Sequence, residues 1–206
     1  MMTISLSDAG KRYNRDWIFR HVNYTFESGN SYAITGPNGS GKSTLLQAIG
    51  GAIQLNEGTA RYSINNIQCA AEKVYQHVSF CAPYLEVIEE MTVKEFLEFH
   101  QGFKPFLPGI TTDNIIAAVS LEKAVNKQVR YYSSGMKQRV KLAQCIFSDT
   151  SVVLLDEPCT NLDAAGIQLY HSMIDQYCSN RLVLVSSNDE VEFGFCKEKI
   201  NISDYK

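Results

Sequence analysis

GPNGSGKST, residues 36–44, decides how the rest of the chain is read. Gly36, Gly39 and Gly41 break up a short polar stretch, and Lys42, Ser43 and Thr44 close it. Glycine adopts backbone angles that other residues avoid, so consecutive N–H groups in such a loop can converge on one anion. A helix beginning near Lys42 adds the positive end of its dipole. Lys42 brings a mobile charge to terminal phosphates, and Ser43 brings a hydroxyl to Mg²⁺. The candidate phosphate-binding residues are therefore Gly36, Pro37, Asn38, Gly39, Ser40, Gly41, Lys42, Ser43 and Thr44.

The flanks support this. NSYAITG (30–36) is a buried strand entering the loop, and KSTLLQAIGG (42–51) is a helix closed by glycines. Strand-like patterning also covers 3–7, 17–26 and short runs within 57–81. From Met91 to about Gln128 the pattern is helical, in TVKEFLEFH and DNIIAAVSLEKAV, which KPFLPG separates. A further helix is expected over 133–147, a short strand over 151–155, a helix over 163–178, a strand over 181–186 and an edge strand over 197–203. Strands alternating with helices predict an α/β fold with a largely parallel sheet.

SVVLLDEP (151–158) is the natural partner of the loop. An apolar strand ending in an acid places Asp156 to hold a Mg²⁺ shell, and Glu157, one residue on, to polarise an attacking water.

Composition narrows the class. The chain has 206 residues, close to one large domain, and a net charge of −3. No basic stripe marks a nucleic-acid binder. The six cysteines form no C-x-x-C pair, which favours reduced thiols over a disulfide or zinc framework. The amino terminus lacks the apolar core of a signal peptide, and no run reaches the roughly 20 apolar residues of a membrane span.

With these motifs the chain resembles the nucleotide-binding subunits of ATP-binding cassette (ABC) transporters over nearly its whole length. YSSGMKQR (132–139), between the loop and the acid pair, looks like a variant of the family's LSGGQ signature. The resemblance implies a P-loop NTPase fold of ABC ATPase type: a mainly parallel core sheet, an antiparallel β region and a helical subdomain. It places a single domain over 1–206, with an ATP-binding core at 1–83 and 136–206 and the helical subdomain at about 84–135. It implies ATP and Mg²⁺ as cofactors, and Ser133, Ser134 and Gly135 against the terminal phosphate held by a second copy. An ordinary helix N-cap at Ser133 or Ser134 is the plainer alternative. CTNLD (159–163) resembles the loop linking the two sites of a dimer, with Asp163 as its acid. Tyr13 falls where the family stacks an aromatic ring on adenine, with Trp17 as competitor.

Two positions depart from the family pattern. HVSFCAP (77–83) resembles the strand that normally ends in a glutamine, but Pro83 stands at the aligned position. Proline has neither side-chain amide nor backbone N–H, so the task falls to water or to a neighbour such as Tyr84 or Glu86. In LVLVSSNDE (182–190) Asn188 stands where the family has a histidine. Its amide can donate to a phosphate oxygen but carries no charge at neutral pH. It is expected to face the terminal phosphate, and it can also cap the segment DEVEF.

The resemblance implies a working cycle. Two copies meet head-to-tail and bury two ATP molecules, and hydrolysis reopens them. The resulting movement drives a separate integral-membrane permease from the cytoplasmic face. YLEVIEEMTVKEF (84–96) is the candidate docking surface, or else a solvated acidic loop. Hydrolysis is expected to be slow in isolation. The compact length leans towards export-type subunits. The alternative reading is a nucleotide-binding clamp or regulatory ABC-type protein with weak or no ATPase activity.

Overall fold

Met2–Tyr13 (β1) and Asp16–Glu27 (β2) pair antiparallel through a tight turn in the computed structural model, which describes all 206 residues. Met2, Ile4 and Leu6 bury every second side chain of β1, as a half-covered strand requires. Glu57–Ile64 (β4) pairs with the other edge of β1, and Ile67–Cys69 (β5) pairs with β4, giving the order β2-β1-β4-β5. β1 runs to Tyr13, well past the expected end at residue 7, because register shifts after Leu6, Ala9 and Lys11 keep it paired with β2.

A second, parallel sheet carries the loop. Ser31–Thr35 (β3) pairs on one side with Leu182–Ser186 (β8) and on the other with Glu198–Asn201 (β9), while Val152–Asp156 (β7) pairs with β8. Val152–Leu155 and Leu182–Val185 are buried, which is why they read as continuous apolar runs and not as alternating ones. Lys42–Ile49 (α1) follows β3 directly, and Glu190–Phe193 (α6) follows β8. These elements belong to one compact unit, made of Met1–Val78, Thr150–Asp156 and Asn180–Lys206.

The second unit comprises Ser79–Asp149 and Glu157–Ser179. It is wider than the insertion at about 84–135 and also takes in the long helices on either side of the acid pair. Its helices are Val93–Gln101 (α2), Thr112–Ala118 (α3), Ser134–Ile146 (α4) and Ala164–Tyr177 (α5). Val78–Cys81 (β6) leads into it. α2 and α3 each start with a reciprocal capping box, Thr92 with Glu95 and Thr111 with Asn114. The helix expected to run through DNIIAAVSLEKAV stops early. Ser120 takes a left-handed φ of 54°, and only a short 3₁₀ turn, Glu122–Ala124, follows. The spacing of Met136, Val140, Ala143 and Phe147 predicts one buried face on α4; Val140, Ala143 and the C-cap Phe147 are buried, Met136 is only half-buried, and Leu142, Cys145 and Ile146 are buried as well. Phe147 packs on Tyr177 of α5 with ring centroids 4.6 Å apart.

Candidate functional site

The carboxyl ends of the parallel strands lie in register. Asp156 of β7 is opposite Ser186 of β8, and Ser186 is opposite Ile34 of β3. Beyond this row come the phosphate loop after β3 and Ser187–Asn188 after β8. In open parallel sheets, ligands bind in the crevice beyond these ends.

The loop has the geometry of an anion cradle. Gly36 has φ 142° and Gly41 has φ 102°, both strained for any residue with a side chain. There is also no room for one. A Cβ on Gly41 would lie 2.2 Å from Cγ2 of Ile18, and one on Gly36 would lie 2.8 Å from Cγ2 of Ile202. Gly41 is the N-cap of α1 and offers no side chain to it, so the first-turn N–H groups remain available to a ligand. Lys42 is buried, and its ammonium donates to the carbonyls of Gly36 at 2.8 Å and Pro37 at 3.3 Å. The loop's own carbonyls thus hold the charge at the mouth of the cradle. Lys206 steadies the same loop by donating to Ser40 O at 2.8 Å and Ile18 O at 2.9 Å.

Three buried polar atoms of this unit have no hydrogen-bond partner: Ser40 Oγ, Asp156 Oδ1 and Ser186 Oγ. Buried polar groups are normally paired, so atoms of this kind mark a place for a ligand. The residues fit a Mg²⁺–nucleotide. No cluster of three or more His, Cys, Asp or Glu side chains is present, as a transition-metal cage would require. Mg²⁺ takes one or two protein ligands with phosphates and water, and a buried carboxylate oxygen beside a loop carrying Ser43 suits it.

Asn188 faces the loop, but it does not cap the next helix. Its Oδ1 accepts from Gly36 N–H at 3.2 Å, and its Nδ2 donates to Asn38 Oδ1 at 3.0 Å. Asp189 is the N-cap of α6 and accepts from Val191 N–H at 2.9 Å, so the expected capping role of Asn188 is corrected. Asp189 prevails because the residue just before the first helical turn presents its carboxylate to the N2 amide.

At the β1–β2 turn Tyr13 is 49% exposed, with the Lys11 ammonium 5.1 Å from its ring centroid. Trp17 packs closely over Gly10 and lies beside the guanidinium groups of Arg12 and Arg20, at 5.5 and 4.5 Å. Tyr13 is the more accessible ring of the two.

The second unit holds the remaining candidates. Ser133 is the N-cap of α4 and accepts from Met136 N–H at 3.3 Å, while Ser134 is exposed on the first turn. Gly135 touches the loop after β7: a Cβ there would lie 2.9 Å from the backbone oxygen of Asn161. Gly135→Ala is expected to push that loop away and cost about 1–3 kcal/mol. Thermal melts of the nucleotide-free variant check this. Gln138 ties the same segments together, donating to Pro158 O at 2.8 Å. Glu157 is exposed and has φ 43°, a left-handed conformation that costs a non-glycine residue about 1–3 kcal/mol and tends to occur at functional sites.

Asp163 is engaged within its own chain. Its Oδ1 accepts from Gly166 N–H at 2.8 Å, capping α5, and from Arg139 at 3.1 Å. The Gly166 amide first, and the Arg139 guanidinium with it, hold the carboxyl below its ordinary pKa of 3.8. A depressed pKa gives stability that is present above the unfolded value and lost as pH falls through the folded one. Asp163→Asn should therefore lose less stability than the parent as pH drops below about 4, measured by melting across an acid series.

Pro83 offers only its carbonyl, which accepts from the Lys141 ammonium at 2.7 Å. Tyr84 and Glu86 are exposed. Pro83, Glu86, Ser134, Lys137, Lys141 and Asn161 contribute to the lining of a cavity of about 410 Å³. Lys137 pairs with Glu89 across it. Neither Lys141 nor Ser186 stands out in the sequence. A lysine on a helix and a serine in a strand each carry no spacing signal until their neighbours are known.

Fold and loop define a phosphate-loop ATPase. The model of the ABC transporter family matches residues 19–160. The ABC transporter ATP-binding protein YybJ of Bacillus subtilis is 31% identical over 84% of this chain and 79% of its own length. YhcH of the same organism is 28% identical over 97% of this chain, which spans 66% of that relative, just under two thirds. Among solved structures, the dimeric ABC transporter cassette MJ0796 has a TM-score of 0.81 at 22% identity, covering 97% of this chain and 94% of that one. The chain belongs to the ABC transporter family.

Proposed function

We propose that the protein binds Mg²⁺–ATP at Gly36–Thr44 and Asp156, pairs head-to-tail with a second copy, and drives a separate membrane permease by closing and reopening that dimer. The observation that carries this is the uncapped α1 behind a glycine cradle, with the unpartnered Asp156 Oδ1 in the same crevice row. Lys42 brings its ammonium to the terminal phosphates, and Ser43 with Asp156 would hold the cation. Bound Mg²⁺ neutralises the charge that develops on the transferred phosphoryl group. Glu157 accepts the proton of the attacking water. Asn188 keeps Gly36 and Asn38 in place and offers its amide to a phosphate oxygen. Tyr13 stacks on the base. Ser134 and Gly135, with Ser133 fixing the start of α4, close the partner's phosphates, and Asp163 steadies that corner through Arg139 and α5. The MJ0796 cassette, which has the same fold, was solved as a dimer and, after hydrolysis, with ADP and Pi bound, and this supports the reading.

No helix is long and apolar enough to cross a membrane, and the proposed transport role assigns the crossing to the permease. The stretch 84–96, through its exposed residues Tyr84, Glu86, Ile88, Glu89 and Glu90, is the candidate contact. Affinity purification from detergent-solubilised membranes should recover a hydrophobic subunit in stoichiometric amount. Recovery of the chain alone, from the soluble fraction only, would favour the second reading, a nucleotide-gated clamp. Pro83 and the uncharged Asn188 motivate that reading. They also underlie the expectation of slow turnover, since an amide supplies less charge stabilisation than a cation.

A further inference from the structure

Ser186 is fully buried, and its hydroxyl has no hydrogen-bond partner. It lies on β8 between the strand that feeds the phosphate loop and the strand that ends in Asp156, in register with Ile34 on one side and Asp156 on the other. Asp156 is 2% exposed, and its Oδ1 is also unpartnered. Two unsatisfied oxygens on adjacent, in-register residues share one spot.

The spot faces α1. A Cβ on Gly50, at the carboxyl end of α1, would lie 2.6 Å from Cδ1 of Leu154, so Leu154 points at that helix. Residues two apart on a strand share a face, which puts Asp156 on the α1 side as well. Leu184 and Ser186 are the in-register partners of Leu154 and Asp156 and share that face. α1 carries Lys42 and Ser43 at its start. A buried hydroxyl destabilises the fold while it is unpaired.

We propose that Ser186 is a positioning residue for the divalent cation that accompanies the nucleotide. Its oxygen accepts from a cation-bound water, and its O–H donates to Asp156 Oδ1, so that carboxylate and hydration shell are held as one network. This rests on the reading of the loop as a Mg²⁺–ATP site. The chemistry suits the place. Mg²⁺ keeps several of its waters. A cation-bound water is more acidic than bulk water, so it is the stronger donor. Partners of this outer kind change metal affinity by about 10–100-fold.

The test is Ser186→Ala, with Ser186→Thr as the rescue that restores a hydroxyl. Three readouts are taken on the purified full chain: melting without ligand, melting with ATP and EDTA, and the Mg²⁺ concentration giving half of the metal-dependent shift at fixed ATP. The alanine variant should melt at or above the parent without ligand, because an unpaired hydroxyl has been removed. The shift with ATP and EDTA should be unchanged. Half-saturation by Mg²⁺ should rise about 10-fold or more, and threonine should return it towards the parent value. An unchanged Mg²⁺ midpoint, or a ligand-free melting point below the parent's, would overturn the role of Ser186 and leave the nucleotide site standing. No Mg²⁺–ATP shift in the parent would remove the underlying reading itself.

Discussion

Lys42→Ala should remove ATP-dependent stabilisation almost entirely. At a nucleotide concentration 100 times Kd, the parent gains about 2.7 kcal/mol, a shift of roughly 5–10 °C for a domain of this size. The variant loses the charge that meets the terminal phosphates. The Lys42 ammonium also donates to the carbonyls of Gly36 and Pro37, so the loop loses two charge-assisted hydrogen bonds. Melting without ligand should therefore fall by no more than about 1–3 kcal/mol, which separates a damaged fold from a lost ligand. Turnover should fall by about 10²–10³ or more, as when a charge-stabilising donor is removed elsewhere. Differential scanning fluorimetry with and without Mg²⁺–ATP, together with phosphate release, measures both. Equal ATP shifts in parent and variant would mean that the loop does not grip the triphosphate.

Glu157→Gln should separate binding from chemistry. Glutamine keeps the size of the side chain and makes the same demand on the left-handed backbone, so melting should stay within about 0.5 kcal/mol of the parent. The amide cannot accept the proton of an attacking water at neutral pH, and turnover should drop by about 10²–10⁴. ATP affinity should survive, because Lys42, Ser43 and Asp156 are untouched. Blocked at that step, the variant should accumulate as an ATP-bound pair that ADP does not support. Light scattering with ATP and then with ADP checks the pairing, and steady-state phosphate release checks the chemistry. A variant that hydrolyses like its parent would place the base elsewhere. A parent with no turnover above this variant would identify the protein as a clamp.

The two departures from the family pattern illustrate what a linear reading can and cannot reach. Pro83 was visible as a residue without an amide, and the structure adds that its one remaining polar atom is engaged by Lys141 from a helix 58 residues away in sequence. The sequence puts Asn188 at a strand tip, and the family resemblance implies that it faces the terminal phosphate. Its two hydrogen bonds reach Gly36 and Asn38, about 150 residues earlier in the chain, and its neighbour Asp189 took the capping role. Helix capping is decided by a one-residue difference in where the first turn begins, which composition alone does not resolve. The early end of α3 has a similar origin, in a single left-handed residue at Ser120 inside an otherwise helical pattern.

The sequence by itself determined the glycine cradle, the strand that feeds it, the helix behind it and the acid-tipped strand that completes it. Each depends on residue type at a fixed short spacing, and backbone hydrogen bonding turns such spacings into local structure directly. Only the tertiary structure decided which polar side chains find partners. It committed Asp163 to Arg139 and Gly166, engaged Lys42 with its own loop, and left Ser40, Asp156 and Ser186 with unpaired oxygens in the nucleotide-binding unit. The reason is that satisfying a buried polar atom depends on which distant strands and helices lie beside it, and strand order and register set that where local pattern does not.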